Sequence, residues 1–132
     1  MRGTMKLLVI DDDDIARELL VSTLERAGHQ VFELPSAIGA TRVIYAEHVD
    51  AVVVDVMLPD ISGDKLARVL RQNAKGPHLG IVLVSSQSTE DLQVLAASVS
   101  ADAVVTKREI RALLPAAVAR AHEARRKPSR HA

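Results

Sequence analysis

The chain has 132 residues, enough for one domain, and 48% of them are hydrophobic, which argues against a disordered protein. Lys and Arg together number 17, as do Asp and Glu, so the net charge is zero and no general attraction to nucleic acid is expected. There is no cysteine, which fits a cytoplasmic location, and no apolar run approaches the roughly 20 residues of a membrane span.

Five short apolar runs predict buried β-strands, and each is followed by a segment with helical periodicity. The predicted strands are Lys6–Ile10, Gln30–Leu34, Ala51–Asp55, Gly80–Ser85 and Asp102–Thr106. Helices are predicted over Asp14–Ala27, from about Ala37 to Glu47, over Gly63–Asn73 with Leu66, Val69 and Leu70 facing inward, and from a cap at Ser88 to about Ser98. Five such units predict an open parallel sheet with helices on both faces, a doubly wound (βα)5 fold.

The last helix is harder to place because Pro115 interrupts its pattern. Proline inside a helix costs about 3 kcal/mol, whereas it is favoured at the first helical position. We therefore predict a short turn at about residues 108–113 and a helix from near Pro115 to about Arg126. Residues 1–5 are interpreted as an N-terminal extension, 6–126 as the domain, and 127–132 as a disordered basic tail.

Charged and hydroxyl side chains lie at the carboxyl ends of four predicted strands, where open α/β sheets bind ligands. Asp11 and Asp12 follow the first strand, Asp55 ends the third, Ser85 ends the fourth, and Lys107 follows the fifth. Three carboxylates at one edge would repel one another, and at least one pKa would rise in the absence of a cation. This conflict predicts a cation site.

Mg²⁺ would relieve the repulsion because it takes oxygen ligands and keeps several waters. Asp12, Asp55 and a backbone carbonyl near Met57 would supply ligands, with Asp11 acting through a bound water. The serine hydroxyl and the lysine ammonium suit an oxyanion such as a phosphoryl group. Asp13 and Asp14, by contrast, are interpreted as caps of the first helix.

These segments resemble the receiver domains of bacterial two-component response regulators, the CheY-like superfamily. "VIDDDDIARELL" resembles the family's first strand and acidic pair. "AVVVDVMLPDISGDKLARVLR" resembles its phosphoacceptor segment, in which Asp55 is followed by Pro59 and Gly63. "IVLVSS" and "ADAVVTK" resemble the segments that carry a switch hydroxyl and a lysine. The resemblance covers about Lys6 to Arg126 and implies strand order 2-1-3-4-5.

The resemblance implies a phosphorylation switch. A sensor histidine kinase or a phosphotransfer protein would donate a phosphoryl group to Asp55, and Lys107 and Ser85 would hold its oxygens. The implied Mg²⁺ ligands are Asp11, Asp12, Asp55 and the Met57 carbonyl. The domain would catalyse only its own phosphorylation and dephosphorylation. With no output domain in the sequence, we expect a stand-alone regulator that binds an unknown downstream protein, and a homodimer is left open.

Two positions depart from the family pattern. Arg108 stands where the family usually has proline after the lysine, so we expect the loop after Lys107 to differ or to be strained. Val104 stands where the family often has an aromatic switch residue, so we expect the usual aromatic coupling to Ser85 to be absent.

Three alternatives stay open from the sequence. A phosphohydrolase of the haloacid dehalogenase type would use Asp11 and Asp13 as its D-x-D pair, but it leaves Asp55, Pro59 and Gly63 unexplained. A constitutive binding module would have the fold without using phosphate. A phosphate sink would drain a kinase without any output partner.

Overall fold

The computed structural model describes residues 3–73, 76–87 and 89–126, and its parallel sheet has the order β2–β1–β3–β4–β5. The strands are β1 (Lys6–Ile10), β2 (Gln30–Leu34), β3 (Ala51–Asp55), β4 (Gly80–Ser85) and β5 (Ala103–Thr106). The helices are α1 (Asp14–Arg26), α2 (Ala40–Glu47), α3 (Gly63–Gln72), α4 (Thr89–Ser98) and α5 (Ile110–Arg125). The predicted doubly wound α/β fold is therefore confirmed.

The sheet has a hydrophobic core on each face. Every residue of β3 and β4 is buried, as expected for strands that are covered on both sides and therefore read as continuous apolar runs. Helices α1 and α5 pack on one face, and α2, α3 and α4 pack on the other. Because all five strands are parallel, their carboxyl ends meet at one edge of this sandwich.

Helix α5 begins at Ile110 and contains Pro115, so the prediction of a helix that begins near Pro115 is wrong. Proline removes one backbone hydrogen bond and costs about 3 kcal/mol in a helix interior. Ile110 and Leu114 lie N-terminal to it and are almost fully buried, and each such side chain contributes about 1.5–3 kcal/mol. Burial of these two side chains offsets the cost of the proline, and the helix extends through it.

Helices α2 and α3 differ from expectation in smaller ways. Helix α2 begins at Ala40, because Gly39 before it has a φ of 88°, a left-handed conformation that interrupts a helix. In α3, Leu66 and Leu70 are buried as predicted, but Val69 is 50% exposed and does not face inward. The predicted cap at Ser88 and the tail at 127–132 lie outside the described residues.

Strand β5 begins one residue later than predicted, because Asp102 belongs to a polar cluster at the amino end of the sheet. Its carboxylate accepts hydrogen bonds from the Ile81 N–H at 2.9 Å, Arg71 Nη2 at 3.0 Å and Arg125 Nε at 2.7 Å. Arg71 Nη2 also donates to the Ser100 carbonyl at 2.8 Å. This cluster, which sequence reasoning missed, joins the ends of α3 and α5 to the start of β4.

Candidate functional site

The three predicted carboxylates come together at the carboxyl edge of the sheet. Strands β1 and β3 are direct neighbours, with Ile10 paired to Val54, so the residues that follow in each strand lie side by side. One oxygen from each of Asp11, Asp12 and Asp55 lies within 4.8 Å of the others. Asp11 and Asp55 are buried, whereas Asp12 is exposed. The cluster therefore has a buried floor and an open side toward solvent.

Lys107 reaches this floor from the end of β5, two strands away from β3. Its Nζ lies 3.3 Å from Asp11 Oδ2 and 3.4 Å from Asp55 Oδ2. One ammonium group thus serves two buried carboxylates, and the site keeps an excess of negative charge. Although burial lowers the pKa of Lys107, the charges of Asp55 and Asp11 raise it overall, so the lysine stays protonated.

Three of the site residues share one local hydrogen bond, in which the side chain accepts from the backbone N–H two residues later, as in Asx and Ser turns. The three pairs are Asp11 Oδ1 with Asp13 at 2.9 Å, Asp55 Oδ1 with Met57 at 3.1 Å, and Ser85 Oγ with Gln87 at 3.1 Å. Each carboxylate is therefore held by its Oδ1, while its Oδ2 contacts the lysine. The position of the Met57 carbonyl as a ligand stays a prediction.

The electrostatics of Asp11 fit a bound cation. Burial raises its pKa, and the charge of Asp55 raises it further, against the opposing effects of the Asp13 N–H and Lys107. The pKa of Asp11 is thus raised in the absence of a cation, in the direction that the sequence predicts. Among the described residues, buried Asp11 Oδ2 has no hydrogen-bond donor; its polar contact is the ion pair with Lys107. An underused buried oxygen beside two more carboxylates is a donor set that suits Mg²⁺.

Gly63 shapes the loop between β3 and α3. Its N–H donates to the Val56 carbonyl at 2.8 Å. A Cβ at this position would lie 2.2 Å from the Asp55 carbonyl oxygen and 2.7 Å from Val56 Cα, closer than any side chain can pack. Only glycine lets α3 begin this close to the strand, which explains the spacing of this motif from Asp55.

The first helix is capped as the sequence predicts. Asp13 is the N-cap of α1, and its Oδ2 accepts a hydrogen bond from the Ala16 N–H at 3.2 Å. Asp14 lies in the first turn and pairs with Arg17 at 2.7 Å. Of the four consecutive aspartates, two therefore serve the helix and two serve the acidic cluster.

The two departures from the family pattern have visible structural results. Arg108 is exposed in a short 3-10 turn over Lys107–Glu109, in which the Thr106 hydroxyl donates to Glu109 at 2.9 Å. No described peptide bond is cis. Val104 is half-buried against the α2–α4 core. The loop after the lysine is thus an ordinary turn.

The chain matches the family model of the response regulator receiver domain over residues 7–119. The chain belongs to this family. This receiver domain is 32% identical over 118 residues to the phosphate regulon transcriptional regulatory protein PhoB of Pseudomonas aeruginosa, covering 86% of the chain but 52% of PhoB. It is 31% identical over 107 residues to the transcriptional regulatory protein CseB of Streptomyces coelicolor, covering 81% of the chain and 44% of CseB. The receiver domain thus spans about half the length of these relatives.

Solved structures agree with the family assignment. A two-component response regulator of the LuxR family from Aurantimonas is 27% identical, with a TM-score of 0.82, covering 98% of the receiver domain and 92% of that chain. The chemotaxis response regulator CheY4 of Vibrio cholerae has a TM-score of 0.76, and the match covers 87% of this chain and 99% of that one. At 18% identity, this similarity supports the fold alone.

Family membership has general consequences. An acceptor aspartate and an Mg²⁺ site at an acidic cluster are general features of receiver domains, and response regulators interact with histidine kinases or phosphotransfer proteins. The family match spans residues 7–119, a range that includes Asp55, Pro59 and Gly63. Within the described part of the chain, no helix is long and apolar enough to cross a membrane.

Proposed function

We propose that this receiver domain transfers a phosphoryl group from a phosphohistidine donor to Asp55 and thereby switches a protein–protein interaction. The observation that carries the proposal is the position of Asp55 Oδ2. It is buried at the floor of the acidic cluster and lies 3.4 Å from the Lys107 ammonium. A carboxylate oxygen held in a cationic contact, beside two further carboxylates, supports a phosphoacceptor role.

The reaction follows from the groups at hand. Asp55 Oδ2 attacks phosphorus, the P–N bond of the donor breaks, and the donor imidazole leaves with its electron pair and takes up a proton. The carboxylates of Asp11, Asp12 and Asp55 and the Met57 carbonyl would hold Mg²⁺. The ion neutralises charge on the phosphoryl oxygens when bound. Most of the remaining catalysis is positioning.

Lys107 and Ser85 would each donate to the phosphoryl group, one as a charged ammonium and the other as a neutral hydroxyl. The Lys107 ammonium already sits between Asp11 and Asp55 and would hold a phosphoryl oxygen once Asp55 carries the group. The Ser85 hydroxyl oxygen accepts from the Gln87 N–H, which leaves its own hydrogen available to donate to the phosphoryl group. Movement of Ser85 would then bias the neighbouring α4–β5 face, without the aromatic residue that many receivers use there.

The rim of the site supports a protein as the phosphoryl donor. Three large apolar side chains stand exposed in successive segments at this edge: Ile15 at 80%, Ile38 at 77% and Met57 at 65%. Exposed apolar side chains around a polar site are typical of surfaces that bind other proteins. A sensor histidine kinase or a phosphotransfer protein fits this role. Signalling to a downstream protein without an attached output domain stays a prediction.

The direct test is phosphorylation of the purified protein with acetyl phosphate, read by intact mass and peptide mapping. We expect an Mg²⁺-dependent adduct on Asp55 that is lost when EDTA removes the metal. NMR shifts should spread from Ser85 toward Val104. A folded protein that forms no adduct with Mg²⁺ present would favour the constitutive binding module. An adduct without any spectral change beyond the site would favour the phosphate sink.

Replacing Lys107 with alanine is expected to slow phosphorylation by about 100-fold, the usual cost of losing one charged contact to the reacting group. Mg²⁺ binding should persist, because the variant keeps all three carboxylates and loses a competing cation. The rate is measured with acetyl phosphate at saturating Mg²⁺. Arg108→Ala, which removes the exposed cation next to it, should react at the wild-type rate. Equal rates in both variants would remove Lys107 from the mechanism.

A further inference from the structure

Arg17 connects the acidic cluster to two other parts of the fold. Its Nη1 donates to the Asp11 carbonyl at 2.8 Å, its Nη2 to Asp14 Oδ1 at 2.7 Å, and its Nε to Glu33 Oε1 at 3.0 Å. Its side chain is only 16% exposed. One planar guanidinium thus joins the loop after β1, the first turn of α1 and the end of β2.

The contact with the Asp11 carbonyl fixes the peptide that links Asp11 to Asp12. The peptide on the other side of Asp11 is also fixed, because the Asp11 N–H donates to the Leu34 carbonyl at 3.2 Å. Both predicted metal ligands from this loop therefore depend on a backbone that β2 holds at one peptide and Arg17 holds at the next. Without Arg17, repulsion among the consecutive aspartates would favour other conformations of this loop.

We propose that Arg17 is a positioning residue for the Mg²⁺ site. It holds Asp11 and Asp12 in their ligating conformation and touches neither the metal nor the phosphoryl group. This inference rests on the proposed function, in which these two residues bind Mg²⁺. Mutation of a residue that orients metal ligands without binding the metal commonly lowers metal affinity by about 10–100-fold.

Charge and positioning predict opposite signs, which makes the proposal testable. If Arg17 acted only as a charge, removing it would make the cluster more negative and would tighten Mg²⁺ binding. If Arg17 acts by positioning, removing it weakens binding. The guanidinium of Arg17 also pairs with Asp14 and Glu33, and the sign of the change in Mg²⁺ affinity separates the two roles.

The experiment is a MgCl₂ titration of the unphosphorylated full chain at constant ionic strength, followed by the amide NMR signals of Asp12 and Asp13. We expect Arg17→Gln to weaken Mg²⁺ binding by about 10-fold or more. Arg17→Lys keeps the charge but loses the planar fork, and it should also bind more weakly than wild type. Arg26→Gln, the same charge change at an exposed position in the last turn of α1, should leave the affinity unchanged.

A second readout needs no metal. In Mg²⁺-free buffer, the Asp13 amide of Arg17→Gln should exchange its hydrogen faster than in wild type, while the amides of Leu20 and Leu24 keep their protection. Equal or tighter Mg²⁺ binding in Arg17→Gln would overturn the inference and leave the proposed function standing. Failure of the wild-type chain to bind Mg²⁺ would overturn both. If Arg17→Gln does not fold, the affinity of Arg17→Lys decides.

Discussion

Asp55→Asn is expected to abolish phosphorylation by acetyl phosphate while the fold persists. The amide lacks the anionic oxygen that attacks phosphorus, but it has nearly the same shape, and its oxygen can still accept the Met57 N–H. Without Mg²⁺ the variant should be at least as stable as wild type, because a buried carboxylate that repels Asp11 is gone and Lys107 keeps a partner. Intact mass after incubation with acetyl phosphate and Mg²⁺ measures the first effect, and urea unfolding measures the second.

Asp60→Asn is the matched control for this substitution. Asp60 lies in the same loop but is exposed, so its variant should form the adduct at the wild-type level. An Asp55→Asn protein that still labels like wild type, with a well-dispersed NMR spectrum, would show that the phosphoryl group goes to another side chain.

Asp102→Ala is expected to lower the free energy of unfolding by about 3–5 kcal/mol, the usual cost of removing one partner from a buried ion pair. The Asp102 side chain is 6% exposed and that of Arg71 is 13% exposed. Burial already lowers the pKa of Arg71, against the favourable charge of Asp102, so loss of the carboxylate leaves a poorly solvated cation. The Ile81 N–H loses its side-chain acceptor as well. Urea denaturation followed by circular dichroism measures the change.

Two further variants serve as controls for the Asp102→Ala measurement. Glu123→Ala breaks an ion pair with Arg126 in which both side chains are more than half exposed, and it should cost less than about 1 kcal/mol. Asp102→Asn keeps an acceptor for Ile81 and should fall between the two. A loss below about 1 kcal/mol for Asp102→Ala would mean that solvent replaces the carboxylate easily. Because this cluster lies at the end of the sheet opposite the acidic site, the folded Asp102→Ala variant should still be phosphorylated.

The strands and the acidic cluster could be predicted from sequence because both follow local rules. Strands β3 and β4 are continuous apolar runs, and Asp55 and Ser85 are their last residues, so the parallel topology alone places these side chains at one edge. The proximity of Asp11, Asp12 and Asp55 is now a structural observation. The roles of Ser85 and Lys107 in phosphoryl transfer stay predictions.

The features that sequence reasoning missed depend on contacts between distant elements. Arg71 and Asp102 are 31 residues apart, and Asp102 and Arg125 are 23 apart, so no local periodicity indicates that they meet. The prediction that α5 begins near Pro115 failed for a related reason. Helical propensity disfavours a proline inside a helix, and only the tertiary burial of Ile110 and Leu114 favours the longer helix.

The turns that hold the site have a consequence for protein engineering. Asp13, Met57 and Gln87 each fix a site residue through the backbone N–H alone, and their side chains are exposed. Any residue except proline supplies the same N–H. If Asp55 is phosphorylated as proposed, a library that varies positions 57 and 87 is expected to change how readily water reaches the aspartyl phosphate without moving the reacting groups, provided that position 63 stays glycine. Backbone atoms of these loops would then fix the geometry of the site, and side-chain atoms of the same loops would set the lifetime of the aspartyl phosphate.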